Sequence, residues 1–333
     1  MKILSEMWSS LLIVIILTSG VAYAQPLTKE SYDKGVKYAI QGKFEKAKRE
    51  FKKTLKVDQF YAPAKQSLNV IKEVIEQNIK RETAIHFFNG VSYGNKGQYD
   101  QAIIEFGKAL ETNPMSVMVH LTRGVIYHKK GQYNKAISNY NKALEIDPRN
   151  AAAYNNRGFA YDSKGKYSQA ISDYNKALEI NPKGADAYLN RGKAYSSKGQ
   201  YGQAISDYNK ALEINPRDAD AYYNRGNAYR NKSQYNQAIS DYNKALKINP
   251  KDADAYLNRG LAYESKKQYG QAISSYSEAL KINPSYAMAY NNRGVVYYFK
   301  GEYGKARKDA RKAQDLGYQV HPGFLKALRE ASK

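Results

Sequence analysis

The chain has no cysteine in 333 residues. That excludes a disulfide framework and a lipid-modified cysteine, so stability has to come from packing. Histidine is scarce too, with four residues, and there is no H-E-x-x-H, P-loop, G-x-S-x-G or paired-carboxylate motif. No catalytic residue, metal site or cofactor is therefore expected, and the protein is not expected to be an enzyme. Long apolar runs are missing except near the start, where Lys2 precedes Leu11–Leu17 and then Ala22-Tyr23-Ala24. This pattern predicts a secretory signal peptide over residues 1–24, cleaved after Ala24, with an uncleaved anchor as the alternative. The run is short for a membrane span, so no integral span is expected in the mature chain. A cysteine-free exported chain fits a periplasmic or secreted location.

Acidic residues are outnumbered, 31 against 53 lysines and arginines, giving a net charge of +22. The lysines recur at fixed repeat positions rather than forming one stripe, so nucleic acid is not an expected partner. Long-range attraction to acidic partners or to an anionic envelope remains open.

What fills the chain is repetition. The stretch 151–184 recurs almost verbatim at 185–218, 219–252 and 253–286, and recognisably at 83–116, 117–150 and 287–320. Pro114, Pro148, Pro182, Pro216, Pro250 and Pro284 lie 34 residues apart. A strict period of this kind means stacked supersecondary units. Numbering each copy from 1, Tyr154, Gly158 and Tyr161 (positions 4, 8, 11) share one helical face. Lys164 and Gly165 then end that helix. A second helical series, Tyr167, Ala170, Ile171, Tyr174, Ala177 and Leu178, stops at Asn181-Pro182. Each copy is thus two antiparallel helices whose apolar face only a neighbouring copy can cover. Glycine at position 8 and alanine at position 20 allow the helices to approach closely. The expected fold is all-α.

The ends of the array differ. Residues 28–61 read as a diverged copy without the terminal proline, Gln59 standing in its place, and 62–82 as a linking helix. Together 28–82 form an atypical N-terminal cap. His86 and His120 replace tyrosine at position 4 and are read as packing residues. In 287–320, position 24 becomes Ala310, basic residues crowd the second helix, and Gly317 ends it. Pro322 then opens a capping helix within 321–333. Asp218 and Asp252 read as N-caps.

The combination Tyr154, Gly158, Tyr161, Ala170, Tyr174, Ala177 and Pro182 resembles the tetratricopeptide repeat, without a gap over 83–320. The resemblance implies a right-handed superhelical solenoid, with the first helix of each repeat lining a concave groove that binds proteins or peptides. One departure is regular. The family's leucine at position 7 is arginine here (Arg123, Arg157, Arg191, Arg225, Arg259, Arg293), and position 23 is aspartate in Asp173, Asp207, Asp241 and Asp309. Pairing within or between repeats is expected, since a half-buried arginine without a partner is costly. On this reading Arg191→Leu is tolerated and Asp207→Leu is not.

Position 6 is asparagine in Asn156, Asn190, Asn224, Asn258 and Asn292. An amide side chain matches a peptide N–H and C=O. The row resembles the asparagine ladder of O-linked N-acetylglucosamine transferase, whose catalytic domain has no counterpart here. The resemblance implies these residues as a peptide site, with Leu189, Tyr223, Leu257 and Phe159 supplying apolar contact. The basic residues of a carboxylate clamp are absent. The expected function is a non-catalytic scaffold or adaptor in the cell envelope, binding extended segments of protein partners. The alternative is self-association, organising an envelope or polysaccharide-export complex.

Overall fold

The computed structural model describes residues 26–58 and 61–331, so the signal-peptide and Gln59 readings lie outside it. All regular structure among these residues is helical. The chain forms two compact units that meet at Asn190 and Arg191 in sequence. The first holds α1 (Pro26–Ile40), α2 (Phe44–Val57), α3 (Ala62–Ile75), α4 (Arg81–Asn95), α5 (Tyr99–Thr112), α6 (Val117–Lys129), α7 (Tyr133–Ile146), α8 (Ala151–Ser163), α9 (Tyr167–Ile180) and the start of α10 (Ala185–Ser197). The second continues through α11 (Tyr201–Ile214), α12 (Ala219–Asn231), α13 (Tyr235–Ile248), α14 (Ala253–Ser265), α15 (Tyr269–Ile282), α16 (Ala287–Phe299), α17 (Tyr303–Asp315) and α18 (Pro322–Glu330).

Every repeat copy is one helix pair, as the periodicity requires. Lysine at position 14 takes the C-cap, and the next residue turns the chain with positive φ. Glycine does this at Gly165 (φ 70°), but Ser233 (59°) and Lys267 (58°) occupy the same left-handed region, which costs an L-residue about 1–2 kcal/mol. Asp218 and Asp252 cap α12 and α14 by accepting from Ala221 N (3.0 Å) and Ala255 N (2.9 Å).

The linking helix is shorter than expected. α3 stops at Ile75 because Gln77 turns into the left-handed region (φ 61°) and Asn78 N bonds back to Glu73 O. Ile79 therefore lies outside it, packed against the first unit's core.

Position 24 supplies the core. Tyr140, Tyr174, Tyr208, Tyr242 and Tyr276 are at most 1% exposed, and each ring contributes about 2 kcal/mol through burial. Each ring lies against the position-8 glycine of its own copy. A methyl group added to Gly192 would stand 2.6 Å from the Tyr208 ring. Toward the N-terminus the same place holds Phe51 and Phe106, and Phe51 stacks on Phe88 at 6.0 Å. At the other end Ala310 replaces the ring, and Leu328 of α18 joins Ala306 and Ala310 in a buried cluster.

Candidate functional site: the first-helix face and its arginine–aspartate supports

The arginines of position 7 hold the two helices of a copy together. Arg225 donates from Nε and Nη2 to Asp241 (2.6 and 2.7 Å), and its Nη1 reaches Asn209 of the preceding copy at 2.6 Å. Arg157 does the same with Asp173 and Asn141. Arg191–Asp207 and Arg293–Asp309 repeat the two-pronged bond. The guanidinium plane also lies over the position-4 ring, 5.4 Å from Tyr222 for Arg225 and 5.3 Å from Tyr154 for Arg157. The bonds from Asp173 raise the Arg157 pKa. Among the described residues Arg123 has only the Asn139 side chain to bond, and Gly107 stands where an acceptor from the preceding copy would be. Burial lowers its pKa.

This geometry changes the expectation for Arg191. Asp207 is the deeper partner, with a side chain 6% exposed against 19% for Arg191. Removing either partner leaves a buried group without its counter-charge, so Arg191→Leu is costly as well.

The row of asparagines is less uniform than its spacing suggests. Asn156 is buried and its Nδ2 has no hydrogen-bond partner among the described residues. Asn190 Nδ2 donates to Asn155 Oδ1 at 3.4 Å. Asn224 donates to the Asp220 carbonyl one turn back (2.7 Å), and Asn258 to the Asp254 carbonyl (2.9 Å) and the Tyr223 hydroxyl (3.0 Å). Asn292 accepts from Asn291. Position 6 therefore spends part of its donor capacity inside the protein, while Oδ1 of Asn224 and of Asn258 bonds to no described residue. Leu189 and Leu257 are buried, 8% and 4% exposed, and Leu257 packs in the cluster with Tyr276 and Val296. They support the face rather than line it. Tyr223 and Phe159 are half-buried, and Phe159 stacks on His128 at 4.6 Å.

In the second unit the structure gathers residues that spacing did not single out. The Tyr242 hydroxyl donates to Asn227 (2.7 Å) and the Tyr276 hydroxyl to Glu264 (2.5 Å). Burial raises the Glu264 pKa. Arg230 lies beside both hydroxyls, and its Nε is buried with no hydrogen-bond partner among the described residues. Tyr286 donates to Asp254. The signal was present in the copies themselves. Position 9 reads Phe159, Lys193, Asn227, Leu261 and Val295, and position 12 reads Asp162, Ser196, Arg230, Glu264 and Tyr298, while the packing positions barely change. Among near-identical repeats, such variable positions are the ones that packing does not dictate.

Sequence matches to the tetratricopeptide repeat fall at 85–114, 151–183, 173–206, 253–286 and 275–308, and matches described as TPR repeat at 124–165, 194–232 and 226–267. Together they leave no gap between 124 and 308. The chain belongs to the tetratricopeptide-repeat family. Solved tetratricopeptide structures share the architecture. One from Parabacteroides merdae is 22% identical, with TM-score 0.56, covering 76% of this chain and 100% of that one. PilW, described as a type IV pilus biogenesis factor, is 23% identical with TM-score 0.57, covering 61% and 94%. YrrB, described as having an unusual peptide-binding site, is 27% identical with TM-score 0.47, covering 55% and 95%. Comparison with curated protein sequences gives no match. Among the described residues of this tetratricopeptide array, no cluster of histidines and carboxylates is arranged to hold a metal ion. No helix among them is long and apolar enough to cross a membrane.

Proposed function

We propose that the protein is a non-catalytic scaffold that receives an extended segment of a partner protein on the first-helix face of its second unit. Tyr223, Asn224, Arg230, Asn258 and Glu264 are the contact residues. The observation that carries this reading is the open polar capacity on that face: the amide oxygens of Asn224 and Asn258 have no hydrogen-bond partner among the described residues, and they sit on the same first helices as positions 9 and 12, where the repeats stop being alike. Backbone N–H groups of a bound strand suit the amide oxygens, and a backbone or side-chain carbonyl suits the terminal nitrogens of half-buried Arg230. Each neutral bond nets roughly 0.5–1.5 kcal/mol, so such a site binds modestly and tolerates varied sequences. The apolar residues named with the asparagines divide accordingly, Tyr223 touching the ligand and Leu257 holding α14 in place.

The test is capture of partners by the purified chain, followed by calorimetry with segments of what is captured. Asn224→Ala/Asn258→Ala and Arg230→Ala should each weaken binding about tenfold with melting unchanged. Unaltered affinity in both variants would remove this face from consideration. The proposed envelope location rests on residues 1–24, and N-terminal sequencing of protein from the periplasmic fraction checks it. The mature chain should begin at Gln25.

A further inference from the structure

Within the contiguous array 83–320 the last copy carries a feature that the six before it lack, and that the diverged copy 28–61 shares through Lys46, Lys48, Arg49 and Lys52. Where the six copies from 83 to 286 place glutamine or lysine, isoleucine, serine or isoleucine, and asparagine, serine or glycine at positions 19, 21, 22 and 25, this copy has Lys305, Arg307, Lys308 and Arg311. Lys312 adds a fifth cation on α17. The nearby acids are already engaged in part. Asp309 takes both prongs of Arg293, and Glu302 takes Lys300 and Lys305. Lys308, Arg311 and Lys312 have no ion pair or hydrogen bond among the described residues, and all are exposed.

These cations line a cleft of about 910 Å³ together with Tyr290, Tyr297, Arg293 and the carboxylates of Asp309 and Asp315, and Lys305 Nζ lies 5.3 Å over the Tyr297 ring. Lys305, Lys308, Arg311 and Lys312 follow helical spacing and share one face of α17. At Asn141, Asn209, Asn243 and Ser277 position 25 is the acceptor that meets the next arginine, 3.0 Å from Ser277 to Arg293. Arg311 turns that acceptor into a donor. The surface that elsewhere welcomes another guanidinium here calls for an anion.

We propose that this cleft is a second docking site, separate from the first-helix face, for an acidic segment of a partner protein. Glutamate or aspartate side chains would lie along α17, with the peptide edge against the two tyrosines. The shape favours a narrow chain: a bilayer is broad and flat and cannot follow cations into a cleft walled by aromatic rings. The carboxylates would replace hydration and small counter-ions, so binding is salt-sensitive and driven by fast association.

The test uses the full chain and a fluorescent peptide of alternating glutamate and serine, with the glutamine version as control. Lys308→Ser/Arg311→Asn installs residues that sister copies carry at the same places, so it should fold. The glutamate peptide should bind and the glutamine peptide should not. The double variant should bind about tenfold more weakly with an unchanged circular dichroism melt, and Asn224→Ala/Asn258→Ala should bind normally. Equal binding by the basic-patch variant overturns the proposal, as does equal loss in the asparagine variant. Tighter binding of phosphatidylglycerol vesicles or single-stranded DNA than of the glutamate peptide also overturns the assignment to an acidic protein segment.

Discussion

Copies 219–252 and 253–286 follow one another in the second unit and share almost every residue, yet their half-buried arginines are held differently. Arg225 has the carboxylate of Asp241, which is 3% exposed. Arg259 has the Ser275 hydroxyl at 3.1 Å and Asn243 of the preceding copy at 2.8 Å. Both arginines also lie over the tyrosine at position 4, at 5.4 and 5.0 Å. The hairpin keeps its form in both copies. The carboxylate is thus not what makes the helices pair; ring packing against glycine does that. What the carboxylate adds is a compensated charge at a place where burial would otherwise penalise the guanidinium.

The sharpest way to break this comparison is to remove the carboxylate where it exists. Asp241→Leu should cost about 3 kcal/mol, because Arg225 is left without its counter-charge, whereas Arg225→Leu/Asp241→Leu should lie near the parent. Hydrogen exchange of α12 and α13 amides measures this locally, which matters because repeat arrays need not unfold as one unit. A loss under about 1 kcal/mol would class the pair with ordinary surface pairs. The reverse change, Ser275→Asp, gives Arg259 what its neighbours have and should gain about 1 kcal/mol in the same assay. A smaller gain, about 0.5 kcal/mol, is expected from Lys267→Gly, since the left-handed penalty outweighs glycine's extra entropy. A shift in denaturant midpoint checks it, and Gly301→Ala should move the midpoint the other way.

The hairpins, their boundaries, the position-8 glycines and the arginine–aspartate pairing were legible in the sequence because each rests on local spacing repeated many times over. The end of α3 was not. It is set by Gln77 adopting a conformation unusual for its residue type, which no period announces. The asparagine row was legible as a column but not as a surface. Spacing places Asn224 and Asn258 on one face, while the i to i−4 bonds that turn their amides back onto the helix depend on rotamers. The polar network around Arg230 was hidden for another reason. The position-24 tyrosines look like pure core, and only the structure shows their hydroxyls bonding to a position-9 or position-12 residue of the first helix.

The bond from a position-7 arginine to the preceding copy has one more consequence. Arg259 meets Asn243, and Arg225 meets Asn209, through the same atoms. If 219–252 were excised, Arg259 would find Asn209 waiting with an identical amide. Modules with interchangeable joints let the gene gain or lose whole copies by unequal recombination without inventing a new interface. The number of repeats can then drift with the length of what has to be held, while each joint stays the same.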